Sequence, residues 1–107
     1  SFDMLKIDDS KELKVFSPST GIFYRAPSPS EPEYVNVGDV ISTKDVLCVL
    51  EAMKMFTTVN LNTFTIDNKK LYSSDSMYKI TRINIIDGQQ VNKGDLLFVI
   101  RPVVSKS

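Results

Sequence analysis

The sequence predicts an all-β domain, a flattened barrel or sandwich whose two halves are related by an internal pseudo-twofold axis. Two observations carry this. The segments Val37-Gly38-Asp39-Val40-Ile41-Ser42-Thr43-Lys44-Asp45-Val46-Leu47-Cys48-Val49-Leu50 and Asp87-Gly88-Gln89-Gln90-Val91-Asn92-Lys93-Gly94-Asp95-Leu96-Leu97-Phe98-Val99-Ile100 match without a gap at a constant offset of fifty residues. Gly38 meets Gly88, Ile41 meets Val91, Asp45 meets Asp95, and Leu47 meets Leu97. The second observation is the punctuation. Short runs of Val, Leu and Ile follow clusters of Gly, Asn, Asp and Lys, as in strands joined by tight turns. The frequency of turn signals favours a sandwich or flattened barrel over an open sheet.

In chain order, strands are expected near residues 14–17 and 22–24, then over 47–51, 56–61 and 78–86, with 96–100 closing the repeat. The runs ending each repeat are apolar at every position, as in strands covered on both faces. Residues 47–55 are rich in Leu, Glu, Ala, Met and Lys, and propensity alone would make them a helix. Their repeat partner holds Phe98-Val99-Ile100 and meets Pro102, which argues for β structure instead. Residues 47–51 therefore read as a strand, 52–55 as a tight hairpin, and 55–60 as the return strand. Lys54 maps onto Val104 in the other half, so only the first half continues into a hairpin there. The lysine should project at one end of the barrel, with both chain termini at the other.

Composition narrows function by exclusion. At 107 residues the chain is one domain. Thirteen basic and thirteen acidic side chains cancel, leaving no global field to attract nucleic acid or an anionic membrane. No apolar stretch approaches the ~20 residues that cross a bilayer as a helix. The opening Ser1-Phe2-Asp3-Met4-Leu5-Lys6 shows no signal-peptide pattern, and it begins without Met, as a processed or trimmed chain would. The lone Cys48 sits in an apolar run and reads as a small buried hydrophobe of a reducing compartment. There is no histidine, which removes Ser-His and Cys-His nucleophilic sites and the commonest general base.

One motif stands apart from this plain background. Glu51-Ala52-Met53-Lys54-Met55 places a lysine between two methionines directly after a strand. Ser17-Pro18 and Gly21-Ile22-Phe23-Tyr24-Arg25-Ala26-Pro27-Ser28-Pro29 precede it, and Asp87-Gly88-Gln89 with Gly94-Asp95-Leu96-Leu97 follow. From about residue 15 to 101 these elements resemble the biotinyl domain of acetyl-CoA carboxylase carrier subunits. The resemblance implies two four-stranded antiparallel sheets and a covalent biotin on Lys54. It assigns Glu51, Ala52, Met53 and Met55 to recognition by a biotin protein ligase. Residues 25–34, with Ala26, Pro27, Ser28 and Pro29, resemble the thumb loop of the multisubunit carboxylases of bacteria and plastids. On composition alone the same stretch is a Pro/Ser-rich surface linker.

The implied domain plan is a tail over 1–13, a biotinyl domain over 14–102 and a tail over 103–107. Residues 62–76 depart from the family as an insertion where a short turn is usual. Its segments Phe64-Thr65-Ile66 and Leu71-Tyr72 could pair as an extra hairpin at the end away from the lysine, or form a plain surface loop. Ser19-Thr20 also replaces a more usual Met-Val pair.

The implied function is non-catalytic. Biotin on Lys54 would carry a carboxyl group from a biotin carboxylase subunit to carboxyltransferase subunits, for malonyl-CoA formation in fatty acid synthesis. An oligomeric full complex and a plastid stroma or bacterial cytoplasm follow from the same resemblance. Lacking a histidine, the domain leaves to the ligase the proton released when the amine is acylated. Three alternatives stay open: the biotinyl domain of another biotin-dependent carboxylase, a lipoyl-type carrier, and an interaction module whose lysine is never modified. Lipoyl domains typically place Asp-Lys-Ala where this chain has Met-Lys-Met.

Overall fold

The computed structural model describes residues 5–7, 11–63, 65–66 and 76–105. Among them every regular element is a strand: β1 (Leu5–Ile7), β2 (Leu13–Phe16), β3 (Gly21–Tyr24), β4 (Val40–Ser42), β5 (Cys48–Ala52), β6 (Met55–Val59), β7 (Thr65–Ile66), β8 (Met77–Ile83), β9 (Gln89–Val91) and β10 (Leu96–Ser105). They form two antiparallel sheets, one ordered β4-β8-β10-β2-β7 with β1 also on β10, the other β6-β5-β3-β9. Each sheet contains the expected four strands, β4-β8-β10-β2 and β6-β5-β3-β9. The first gains two outer additions, β1 and β7. The sheets stack as an open, flattened sandwich rather than a closed barrel.

The fifty-residue repeat is visible in the hydrogen bonds. The Gly38 amide donates to Ile80 O at 2.8 Å, and the Gly88 amide to Phe23 O at 2.7 Å. Asp45 Oδ2 accepts from the Ser42 amide, and Asp95 Oδ2 from the Asn92 amide, at 2.8 and 2.7 Å. Gly38 and Gly88 both have positive φ, 98° and 83°, which accounts for glycine at this point in each half. The symmetry exchanges β5 with β10, β3 with β8 and β4 with β9. The role of β6 beside β5 is taken beside β10 by β2, from the start of the chain. At Val104, the repeat position of Lys54, β10 runs on as a strand and pairs with Lys6 of β1, so the second half presents no hairpin there.

The core lies between the sheets. Leu13, Val15, Phe23, Leu47, Cys48, Leu50, Tyr78, Ile80, Val91, Leu97, Phe98 and Ile100 are all buried. Phe23 and Phe98, from opposite sheets, meet with ring centroids 5.9 Å apart at 52°, a favourable tilted geometry. Burial explains how β5 overrides helix propensity: Cys48, Val49 and Leu50 are covered in succession. A lone amphipathic helix could not cover all of them.

Two segments differ from the expected plan. β10 continues to Ser105, with Leu5↔Ser105 and Ile7↔Val103 paired, so parts of both expected tails are strand. β6 ends at Val59 opposite Cys48, and the chain turns through Asn60–Thr63 with the Thr63 amide donating to Asn60 O at 3.0 Å. β7 then joins the edge of β2, Val15↔Ile66 and Phe16↔Thr65. Phe64 and residues 67–75, including Leu71 and Tyr72 of the expected extra hairpin, lie outside the described residues.

Candidate functional site

β5 and β6 pair from Cys48↔Val59 to Ala52↔Met55, leaving Met53 and Lys54 as a two-residue loop. Both have positive φ, 52° and 65°, the signature of a type I′ turn whose twist matches the flanking strands. Asn-Gly is the usual choice there. A non-glycine residue in this region costs about 1–2 kcal/mol, so the Met-Lys pair is held by the strands on either side. The strained turn thrusts its side chains into solvent. Met53 is 96% exposed, Met55 72% and Phe56 65%. Lys54 is also exposed, and its side chain has no ion-pair partner among the described residues.

The chain crosses between sheets beside this turn. β2 ends at Phe16, and after Ser17–Thr20 the chain enters β3 at Gly21, next to the lysine end of β5. A Cβ at Gly21 would lie 2.6 Å from the Glu51 carbonyl oxygen, so only glycine permits this approach. Farther along β3, Tyr24 pairs with Val49, and its hydroxyl donates to Glu51 Oε1 at 2.9 Å. Its ring packs on Phe56 with centroids 6.3 Å apart at 34°. The hydrogen bond to Glu51 raises the Tyr24 phenol above its usual range, helped by desolvation and by the charges of Glu51 and Asp87.

Residues 25–34 leave the end of β3 that lies away from the turn and fold over the outer face of the sheet. Arg25 staples the base. Its amide donates to Asp87 Oδ1 at 2.7 Å, its guanidinium to Val35 O at 2.8 Å and Asn36 Oδ1 at 2.9 Å. The Tyr34 amide closes the loop onto Arg25 O at 2.7 Å. Between loop and sheet lies an open cavity of about 570 Å³, lined by Tyr24, Ala26, Pro27, Ser28, Pro29, Glu31, Glu33, Val49, Phe56 and Asp87. Ala26, Pro27, Ser28 and Pro29 therefore share one concavity with Phe56, which pairs with Glu51 just past the turn. The loop is rooted away from the lysine turn and runs alongside the hairpin, facing Val49 and Phe56. The cavity's floor of Tyr24, Val49 and Phe56 is largely apolar, and its rim carries Glu31, Glu33 and Asp87 together with Arg25.

The structure thus places Glu51, Ala52, Met53, Lys54 and Met55 on one hairpin, and Ala26–Pro29 on a separate wall beside it. Sequence reasoning missed Gly21, Tyr24 and Phe56 as parts of this site. Tyr24 sits on an alternating strand and could have been assigned to the outer face from its period; nothing in the sequence marks its reach to Glu51. Cys48 is not a reactive group here, since burial pushes its thiol well above the usual range.

A two-sheet sandwich presenting a lysine on a strained two-residue hairpin is a carrier scaffold, and comparison supports the class. The family model described as biotin-requiring enzyme, the biotin/lipoyl-attachment type, matches residues 13–63. The chain is similar to this family over that segment. Among curated proteins it is similar to the chloroplastic biotin carboxyl carrier protein 1 of acetyl-CoA carboxylase from Arabidopsis thaliana, 35% identical over 82% of this chain and 27% of the relative. It is also similar to the carrier protein of the same carboxylase from Nostoc, 33% identical over 91% of this chain and 46% of the relative. The corresponding protein of Haemophilus influenzae is 35% identical over 80% of this chain and 47% of the relative. The chain thus spans between about a quarter and a half of the length of these relatives.

Proposed function

We propose that this chain is the biotin-carrying domain of an acetyl-CoA carboxylase carrier subunit, with Lys54 as the attachment residue. The observation that carries the reading is the turn itself: an exposed lysine at positive φ between Met53 and Met55, with no ion-pair partner among the described residues. A rigid turn delivers the amine to a ligase without ordering a loop first, which lowers the cost of docking. The N–C amide bond forms as the amine attacks biotinyl-adenylate; AMP leaves and the amine's proton passes to a base of the ligase. Bound biotin supplies a ureido nitrogen that accepts and gives up a carboxyl group. The protein's part is to hold that group at high local concentration near two other active sites, so the chain is a carrier component and not itself a catalyst.

The relatives' names support acetyl-CoA carboxylase over another biotin-dependent carboxylase, and the 25–34 loop points the same way. Partners on this reading are a biotin carboxylase subunit, carboxyltransferase subunits and a biotin protein ligase, in an oligomeric complex. The named relatives come from a plastid and from bacteria, which favours a plastid stroma or bacterial cytoplasm. Residues 25–34 act as the thumb, with Ala26, Pro27, Ser28 and Pro29 as the wall facing the carried group. Co-expression with a biotin protein ligase should yield an avidin-reactive protein, and Lys54→Arg should abolish that signal without changing the melting curve. Avidin reactivity persisting in Lys54→Arg would overturn the assignment.

A further inference from the structure

Glu51 lies three residues before Lys54, on the strand that feeds the turn. Both side chains are long and oppositely charged, and were the carboxylate to swing round to Lys54, the ion pair would make the ammonium harder to deprotonate. In this structure the Glu51 carboxylate instead accepts from the Tyr24 hydroxyl at 2.9 Å. Tyr24 is itself fixed from both sides. Its ring packs on Phe56, its backbone pairs with Val49, and the next residue, Arg25, is anchored to Asp87 at 2.7 Å. The carboxylate is thus tethered toward the 25–34 loop, and Lys54 has no ion pair among the described residues.

We propose that Tyr24 is a positioning residue: its hydroxyl holds the Glu51 carboxylate away from Lys54, leaving the amine free to accept an acyl group. The inference rests on Lys54 being the acylated residue. Other charges facing this region are Asp87 from the turn before β9 and Arg25, Glu31 and Glu33 from the loop. Arg25 is committed to Val35 O, Asn36 and, at 3.8 Å, Glu33, so it does not replace Tyr24 as the partner of Glu51. Met55, Phe56, Thr57 and Thr58 of β6 bring no charge.

The test is competitive acetylation of Lys54 with acetic anhydride, read by peptide mass spectrometry across pH, on wild type, Tyr24→Phe, Glu51→Gln and the double variant. Tyr24→Phe keeps the ring against Phe56 and loses only the hydroxyl. Released Glu51 should then pair with Lys54, slowing its acetylation about twofold near neutral pH and moving the pH profile about 0.3 unit alkaline, the scale of an exposed ion pair. In the Glu51→Gln background, which cannot form that pair, the same Tyr24→Phe change should have no effect. Equal Lys54 reactivity in wild type and Tyr24→Phe would overturn the proposal. So would a slowing that persists undiminished when Glu51 is Gln. Failure of the cofactor reading shows separately, as absent avidin reactivity in wild type co-expressed with ligase, and leaves the acetylation result readable.

Discussion

Gly21→Ala tests how tightly the crossover strand is set against the lysine hairpin. The added methyl would sit 2.6 Å from the Glu51 carbonyl oxygen and 3.3 Å from its carbon. An ordinary contact needs about 3.4 Å or more, so one strand must retreat by roughly 0.8 Å. Neither can do so freely. Glu51 is paired with Ile22 on one side and Phe56 on the other, and Gly21 also pairs with Val91. Overpacking against fixed backbone costs about 1–3 kcal/mol. For a domain of this size that lowers Tm by about 5–20 °C, at roughly 4–8 °C per kcal/mol. Thermal unfolding followed by far-UV circular dichroism reads the shift. Gly94→Asn is the comparison: φ is 91° there and the space beyond Cα is open, so its cost is backbone strain alone, about 1–2 kcal/mol, with no displacement of a neighbouring strand. A Gly21→Ala variant melting within 2 °C of wild type would refute the close approach.

Met53→Gly should leave Tm unchanged or slightly raised, because it relieves φ of 52° at a residue 96% exposed, whereas Met53→Val should lower Tm by a few degrees, β-branched residues being outliers at positive φ; equal melting of the two would refute the turn geometry. Arg25→Met should leave Tm within a few degrees of wild type while hydrogen exchange of the amides in 25–34 accelerates severalfold, since the lost bonds to Val35 O and Asn36 are local; unchanged exchange would refute the staple. Deleting residues 26–33 should spare avidin reactivity and reduce carboxyl transfer in the assembled carboxylase, and full transfer by the shortened protein would refute the thumb role. Because the Tyr24 phenol is raised from 10.0 by its bond to Glu51, the stabilisation from that bond is complete below about pH 10 and lost as pH rises through the folded-state value. Tyrosine-selective NMR across alkaline pH should show the Tyr24 ring carbon titrating at lower pH in Glu51→Gln than in wild type, and an unchanged transition would refute the bond.

Much of this architecture is legible in the residues. The repeat fixed by Gly38 and Gly88 announces the two halves, because positive φ at equivalent turns admits few other residues. The same repeat rescues β5 from its helical composition. What stays hidden is whatever depends on how two strands lie across one another. Gly21 looks like any glycine before an apolar run until Glu51 is seen beside it. Tyr24 meeting Glu51 joins residues 27 apart, and no local pattern encodes that contact. The strain at Met53 and Lys54 is similarly invisible, since the usual hairpin signal is Asn-Gly and this turn lacks it. β1 escaped notice because an edge strand of three residues needs only pairing, which so short a run does not advertise, and Thr65 and Ile66 were expected in an extra hairpin, whereas they pair on the edge of β2.

The account stands most directly on which group the cell attaches, and to which lysine. The chain should be co-expressed with biotin and lipoate ligases, both cofactors supplied, and then examined by intact mass and peptide mapping. One biotin amide on Lys54, with no lipoyl adduct and no modification of another lysine, is the predicted result. An unmodified Lys54, a lipoyl group there, or biotin on a different lysine would contradict it.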